Sequence, residues 1–394
     1  MDLRPTPEHV ALRAEVREWL HQHLPADYRS GPRPRFDDLA DEVAHLREWQ
    51  AALAAGGWVG MTWPAQYGGR GAGPLDHFLV QEELARAGAP ELVGRIGVNL
   101  VGPTLLAHGT DDQNERWLPR ILDATQLWCQ LFSEPAAGSD LAAVRTRATR
   151  VDGGWLLNGQ KVWTSYAQFA DFGVCLARTD PDAPKRHGIS YLVIAMDQPG
   201  VEVRPLTQIT EEREFNEVFL TDAFVPDEHL VGTEHDGWRV ATATLSHERG
   251  VNPRQLVIHS QLIEELLRLA AGTGGFDDPR TATRLAQAWA EVRIFQLHNW
   301  RSLSRLAAGS DVGPEGSALK LYWSEMSQRL HETALGVLGP AAPLWHDARD
   351  NPGEGRWQRS WLYYRAASIF AGTNEIQRNI VGERVLGLPR EATP

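Results

Sequence analysis

A run of small and polar residues, LFSEPAAGSDL at Leu131–Leu141, has the composition of a ligand-binding loop. Small residues such as Gly138 let backbone N–H groups approach a ligand closely. Exposed N–H groups, together with the Ser139 hydroxyl, suit phosphates or the oxygens of a polar ring. The alternative is structural, with Ser139 capping a following helix. The stretch alone leaves both interpretations open.

A second stretch, NGQKVWTS at Asn158–Ser165, places an aromatic residue beside hydroxyl side chains. Asn158-Gly159 predicts a tight turn. The strand after it would present Trp163 and Ser165 as one wall of a site for a flat ring. The alternative is a core strand with a buried tryptophan.

A third stretch, IFAGTNEIQR at Ile369–Arg378, interrupts a helical pattern at Gly372. Thr373 or Asn374 is suited to cap the helix that follows. This segment is either a shaped linker at a site or an ordinary connection before an amphipathic helix.

Apolar periodicity divides the chain into three regions that would position these stretches. Residues 1–125 and 234–394 show helical spacing, whereas residues 126–233 show short alternating runs with turn signals such as Asp152-Gly153. This order predicts an α+β protein: an N-terminal helical domain, a middle antiparallel β domain and a C-terminal four-helix-bundle domain. The predicted strands are Trp155–Leu157, Lys161–Ser165, Phe172–Ala177, Ile189–Met196, Val201–Pro205 and Val218–Phe224.

Composition excludes several classes of function. The net charge is -12 at pH 7, which argues against nucleic acid and anionic membranes as partners because both need a basic face. No apolar run is long enough to span a membrane, and no signal peptide is visible. The two cysteines, Cys129 and Cys175, lie in apolar stretches and predict buried free thiols, which fits a cytoplasmic protein.

The three stretches occur together, in this order, around a sheet region. With the loop Trp63–Gly69 and the pattern from Asn216-Glu217-Val218 to Val225-Pro226, they resemble the acyl-CoA dehydrogenase family over nearly the whole chain. The resemblance implies FAD as the cofactor and an acyl-CoA or acyl-carrier thioester as the substrate. It implies α,β-dehydrogenation, in which a carboxylate removes the α proton and the β hydride passes to flavin N5. An electron-transfer flavoprotein is the implied acceptor.

The resemblance also suggests where the catalytic base lies. Many relatives carry glutamate in the linker at the position of Ala371, which has no proton-accepting side chain. Isovaleryl- and long-chain-type members instead carry a glutamate followed by arginine on an early C-terminal helix, and Glu248-Arg249 matches that place. We therefore expect Glu248 to be the base and Arg249 to position it. The Ala371 N–H would keep its family role of binding the thioester.

The remaining family contacts carry over position by position. Phe132 and Ser133 are expected at the pyrimidine edge of the flavin. Gly138 and Ser139 are expected near the FAD diphosphate or the entrance for the substrate's pantetheine, with Ser139 a substrate contact in the second case. Further FAD contacts are expected from Trp163 at the ring, Ser165 toward N5, Thr373 and Glu375.

Two family elements are missing. One is a downstream glutamine with a paired glycine, in place of which this chain has Leu335-Gly336-Val337-Leu338-Gly339-Pro340. Relatives also carry an Arg-x-x-Phe-Gly motif that grips FAD across a subunit boundary, whereas Gly272–Pro279 is acidic here and lacks it. Arg280 is a candidate substitute. We expect a homo-oligomer, and the alternative is a partner chain that supplies the motif.

Two other functions remain open. A flavin monooxygenase on the same fold would need no carboxylate base, so Glu248 argues against it. A non-catalytic subunit that completes a partner's site would not need an intact loop at Leu131–Leu141.

Overall fold

The computed structural model describes residues 6–29, 34, 36, 38–247, 252–310, 313–346, 348 and 351–390. It begins with helices, as the periodicity predicts, and side chains cap several of them. Asp38 accepts a hydrogen bond from the Ala40 N–H, and Thr110 forms a capping box with Gln113. These helices are α1 Pro7–His23, α2 Ala26–Arg29, α3 Leu39–Ala55, α4 Pro74–Arg86, α5 Gly102–His108 and α6 Asp111–Leu122.

The middle of the chain forms one seven-stranded sheet. Trp155, Leu192 and Val218 belong to its buried core, and removing such side chains from water supplies about 1.5–3 kcal/mol each. The strands are β1 Trp128–Leu131, β2 Arg147–Val151, β3 Gly154–Ser165, β4 Phe172–Arg178, β5 Ile189–Ala195, β6 Val201–Leu206 and β7 Phe215–Pro226.

The pairing of the strands is mixed rather than wholly antiparallel. The pairs β2–β3, β3–β7, β4–β5 and β6–β7 are antiparallel, as predicted. However, β1 runs parallel to β4, and β2 meets β4 in a parallel bridge at Arg147 and Arg178. The strand β2 was not predicted, and the parallel direction of β1 and β2 relative to β4 was not foreseen.

One predicted turn exists and another does not. Asp152-Gly153 joins β2 to β3, with Gly153 at φ 74°. The turn predicted at Asn158-Gly159 is wrong, because β3 runs through it with a shift of register on β7 between Leu157 and Gly159. A Cβ on Gly159 would lie 2.4 Å from the Thr146 Oγ1 atom. That glycine therefore allows a close approach of β3 to the residue just before β2, rather than a turn.

Helices return after the sheet, which confirms the α+β prediction with helical ends and a central sheet. They are α7 Gly237–His247, α8 Pro253–Thr273, α9 Pro279–Ala307, α10 Gly316–Leu338, α11 Arg356–Tyr363 and α12 Asn374–Ile380. Buried apolar residues of α4, α8, α9 and α10, including Phe78, Leu266, Val292 and Met326, form one core. Among the described residues, no helix combines the length and apolarity needed to cross a bilayer.

The chain divides into two compact units. One comprises Met1–Val16, Pro74–Arg86 and Arg249–Pro394, and the other comprises Arg17–Gly73 and Ala87–Glu248. The helix α4 thus belongs with the C-terminal helices although it is early in the sequence. The three domains predicted at residues 1–125, 126–233 and 234–394 stay a prediction.

Candidate active site

The loop after β1 carries the first group of predicted cofactor residues. Phe132 is buried, and its ring meets the Tyr191 ring edge-on at a centroid distance of 5.8 Å. The Ser133 carbonyl accepts a hydrogen bond of 3.0 Å from the Val162 N–H, so the loop is tied to β3. Gly138 and Ser139 are exposed. The loop is therefore anchored at its start and open to solvent at its apex.

A buried ion pair holds this loop against the sheet. The ammonium group of Lys161 lies 2.9 Å from Glu134 Oε1, and the two side chains are 0% and 7% exposed. The same ammonium donates to the Phe132 carbonyl at 3.2 Å and to the Leu176 carbonyl at 2.8 Å. All three oxygens are acceptors, so each of the three N–H donors of this buried ammonium group has a hydrogen-bond partner within the protein.

The Glu134 carboxylate is satisfied on its other side by the backbone. It accepts hydrogen bonds from the Arg145 N–H at 2.6 Å and the Thr146 N–H at 2.9 Å. Burial opposes ionisation of this carboxyl, but the Lys161 charge and the hydrogen bonds outweigh it and lower the pKa of Glu134 below its ordinary value. As a charged pair, Glu134 and Lys161 therefore join the start of the loop to β3 and to the segment just before β2.

Lys161 and Glu134 were not among the predicted site residues, although the composition carries a signal. Of the 39 basic residues, three are lysine: Lys161, Lys185 and Lys320. Lys161 and Lys320 are buried and bind backbone carbonyls. A compact ammonium fits such positions, whereas the large planar fork of arginine does not. Two of the three lysines in this arginine-rich chain are therefore buried cations, whereas Lys185 is exposed.

Trp163 has an unusual backbone and an exposed side chain. Its φ is 60°, in the left-handed region that non-glycine residues seldom adopt. The indole is 62% exposed and meets the Phe215 ring edge-on at 6.2 Å. The interpretation as a buried core tryptophan is therefore wrong. Ser165, two residues further along β3, is half-buried.

The predicted linker forms a turn of two consecutive left-handed residues. Ala371 has φ 53° and Gly372 has φ 84°. For alanine this conformation costs about 1–2 kcal/mol. The Ala371 N–H donates to no residue within the part of the chain that the structure describes. A strained residue with a free donor is an arrangement typical of functional sites.

The helix α12 begins directly after this turn. Thr373 is its N-cap and accepts a hydrogen bond of 3.3 Å from the Ile376 N–H, so the predicted cap is confirmed. Glu375 lies in the first helical turn with its side chain exposed. Its own backbone N–H and the Thr373 hydroxyl lower the pKa of Glu375 below the ordinary value.

The predicted catalytic pair, Glu248 and Arg249, lies outside the residues that the structure describes. Within α7, the buried Thr244 hydroxyl lies 2.9 Å from that of Thr104 and 3.4 Å from that of Tyr191. Tyr191 is also the residue packed on Phe132. The described part of α7 is thus fixed to the sheet that carries the Leu131–Leu141 loop.

The structure distributes the predicted residues over the two units. Phe132, Ser133, Gly138, Ser139, Trp163 and Ser165 all belong to the unit that contains the sheet. Ala371, Thr373 and Glu375 belong to the other unit. Within each unit the predicted residues are close in the chain or joined through the hydrogen bonds described above.

Comparison with known proteins identifies the family. Family models match three consecutive parts of the chain: the acyl-CoA dehydrogenase N-terminal domain at residues 6–125, the middle domain at residues 129–223 and the C-terminal domain at residues 235–386. The chain belongs to the acyl-CoA dehydrogenase family. It is therefore an FAD-dependent oxidoreductase.

Individual acyl-CoA dehydrogenases are similar along their whole length. Acyl-CoA dehydrogenase IpdE1 of Mycobacterium tuberculosis is 42% identical over 386 residues, which are 96% of this chain and 98% of that protein. A chain of the ChsE4-ChsE5 complex from Mycobacterium tuberculosis has a TM-score of 0.84 at 31% identity, covering 99% of this chain and 100% of that one. The Tcur3481-Tcur3483 steroid ACAD has a TM-score of 0.85 at 30% identity, with coverage of 99% and 100%.

Proposed function

We propose that this enzyme introduces a double bond between the α and β carbons of an acyl-CoA thioester. Glu248 removes the α proton, Arg249 positions that carboxylate, and the Ala371 N–H donates to the thioester carbonyl. The observation that carries the proposal is the Ala371 backbone, which is left-handed and whose N–H has no hydrogen-bond partner among the residues that the structure describes. Such a donor stabilises the negative charge that develops on the carbonyl oxygen when the proton leaves.

The cofactor FAD accepts the hydride from the β carbon when it is bound. The chain's own residues have features that fit it. The exposed indole of Trp163 is suited to a flat ring, with Ser165 and the Phe132-Ser133 backbone as its polar neighbours. The open Gly138-Ser139 apex is suited to phosphate oxygens. Thr373 and Glu375 complete the proposed set of cofactor contacts.

A side chain at position 138 tests the phosphate contact. A Cβ built on Gly138 meets nothing within 4 Å, so Gly138→Ala is expected to change the free energy of unfolding of the apoprotein by less than about 0.5 kcal/mol. It should nevertheless raise the Kd of FAD about tenfold, because it blocks close approach of the backbone. Fluorescence titration of the apoprotein with FAD measures the change.

Gly272→Ala is the matched control for that substitution. A Cβ at Gly272 also meets nothing within 4 Å, and this residue lies in α8 outside the proposed contacts. Its FAD affinity should equal that of the wild type. Equal affinity in Gly138→Ala would contradict the proposed contact at Gly138.

For the substrate, we propose a CoA thioester of a bulky, steroid-derived acid rather than a linear fatty acid or an acyl-carrier thioester. The support is the 30% identity, over 99% of this chain, to a protein described as a steroid ACAD. The test is anaerobic mixing of the FAD-loaded enzyme with linear, branched and steroid-derived acyl-CoA thioesters. Loss of the visible flavin absorbance and formation of an enoyl-CoA are expected with the bulky thioesters. No absorbance loss with any thioester, or an oxygenated product in air, would overturn the proposal.

We further propose that the enzyme is a homo-oligomer, that it lies in the cytoplasm and that it delivers its electrons to an electron-transfer flavoprotein.

The helix α9 offers a surface for the oligomer. One side of α9 is buried in the core, including Val292 and Phe295, whereas the other side exposes Trp289, Ile294 and Leu297. We propose that a second copy of the chain covers this exposed face. Light scattering should show an oligomer that Leu297→Glu dissociates. A wild-type monomer that retains FAD poorly would instead favour a heteromeric enzyme.

A further inference from the structure

The Ala371-Gly372 turn is held by side chains from two different helices. The Gln377 side-chain amide donates to the Ala371 carbonyl at 2.9 Å and to the Gly372 carbonyl at 3.1 Å. Gln377 is fully buried and lies on α12. One amide group thus fixes both carbonyls of the turn.

The second contribution comes from α10. The ammonium group of Lys320 donates to the Gly372 carbonyl at 2.7 Å and to the Asn374 side-chain oxygen at 3.2 Å. The Ser324 hydroxyl donates to that same Asn374 oxygen at 3.0 Å. Lys320 is 8% exposed, so its bond to the carbonyl is shielded from water and is correspondingly strong.

Together, Lys320 and Gln377 form what we call the carbonyl clamp. Both carbonyls of the turn are occupied by the clamp, and the N–H of Ala371 is left without a partner among the described residues. A left-handed alanine persists only where its surroundings over-determine it. The clamp provides that constraint, and it therefore determines the direction in which the free N–H points.

We propose that Lys320 and Gln377 are positioning residues that hold the Ala371 N–H as a donor for the substrate carbonyl. The inference rests on the proposed thioester-binding role of Ala371. Neither side chain needs to touch the substrate, since both act through the backbone of the turn. Loss of the clamp should therefore weaken recognition of a carbonyl group specifically, while the binding of the rest of the ligand is kept.

Two CoA ligands separate these effects. Benzoyl-CoA has a thioester carbonyl but no α hydrogen, so it cannot be dehydrogenated. S-Benzyl-CoA has a methylene group in place of that carbonyl. The FAD-loaded wild type is expected to bind benzoyl-CoA about tenfold more tightly than S-benzyl-CoA, corresponding to one well-placed hydrogen bond. Lys320→Met and Gln377→Leu should each reduce this preference to about twofold or less without changing the Kd of S-benzyl-CoA.

Gln358→Leu is the matched control. Gln358 is another buried glutamine of the same unit, and its amide donates to the Ala341 carbonyl at 3.2 Å. This variant should lose stability as Gln377→Leu does, yet keep the wild-type preference for benzoyl-CoA. Titration with both ligands, with FAD content measured in parallel, gives the comparison.

The outcomes distinguish this inference from the proposed function. If both clamp variants keep the tenfold preference, or if Gln358→Leu loses it equally, the clamp does not position the donor and the inference is overturned. If the wild type shows the preference and the clamp variants lose it, the inference holds even where no acyl-CoA reduces the flavin. A failure of every acyl-CoA to reduce the flavin would overturn the proposed dehydrogenation alone.

Discussion

Glu248→Gln is expected to abolish reduction of the flavin by acyl-CoA thioesters while the protein keeps its FAD. The α proton of a thioester is very weakly acidic, and a neutral amide cannot accept it. Removing a general base typically costs about 10²–10⁴-fold in rate, and we expect the upper part of that range because no carboxylate is available at Ala371. Stopped-flow measurement of the visible flavin absorbance, under anaerobic conditions, gives the rate of the reductive step directly.

The matched control is Glu228→Gln, which neutralises an exposed glutamate in the short turn Asp227–His229. Its reductive rate should stay within about twofold of the wild type, as expected for a surface substitution. A Glu248→Gln enzyme that is reduced at the wild-type rate would show that another group takes the proton. Arg249→Lys should lower the rate less than Glu248→Gln, because it keeps the charge but alters the geometry that positions the carboxylate.

Local patterns in the sequence were sufficient to predict most helices. The helical spacing of residues 1–125, which includes Val10, Val16 and Leu20 of α1, needs only local pattern, and the cap at Thr373 was one of two candidates given by residue type. Both depend on neighbours within one or two turns. The error at Asn158-Gly159 has a different origin. Glycine is used both for turns and for close approach of backbone segments, and the residue that approaches Gly159 is Thr146, just before β2.

The residues that hold the site were harder to predict than the residues expected to contact ligands. Lys161, Lys320 and Gln377 bind backbone carbonyls that are distant in sequence, for example Lys320 and Gly372. No local motif encodes such a partner. The left-handed backbone of Ala371 was also unreadable, since alanine carries no preference for that region. Loops with small residues were visible in the sequence, whereas their supports depend on tertiary structure.

Lys161→Met is expected to lower the free energy of unfolding by about 3–5 kcal/mol, because it leaves the Glu134 carboxylate buried without its cation. The Phe132 and Leu176 carbonyls lose their shared donor as well. Since these groups anchor the Leu131–Leu141 loop, the Kd of FAD should rise about tenfold or more. Urea denaturation of the apoprotein and titration with FAD measure the two effects separately.

The pH dependence of stability separates loss of the charge pair from simple loss of packing. The pKa of Glu134 is lowered in the folded protein, so its stabilising contribution is complete above the unfolded value of about 4.3 and is lost as the pH falls through the folded pKa. In Lys161→Met the pKa of Glu134 in the folded protein should rise, so mild acid should destabilise the variant less than the wild type.

Lys161→Met/Glu134→Gln should recover part of the stability at neutral pH, because no charge stays buried. Lys185→Met, which breaks an exposed pair with Asp140, should change stability by less than about 0.5 kcal/mol. If Lys161→Met were no more harmful than this control, the buried pair would not anchor the loop.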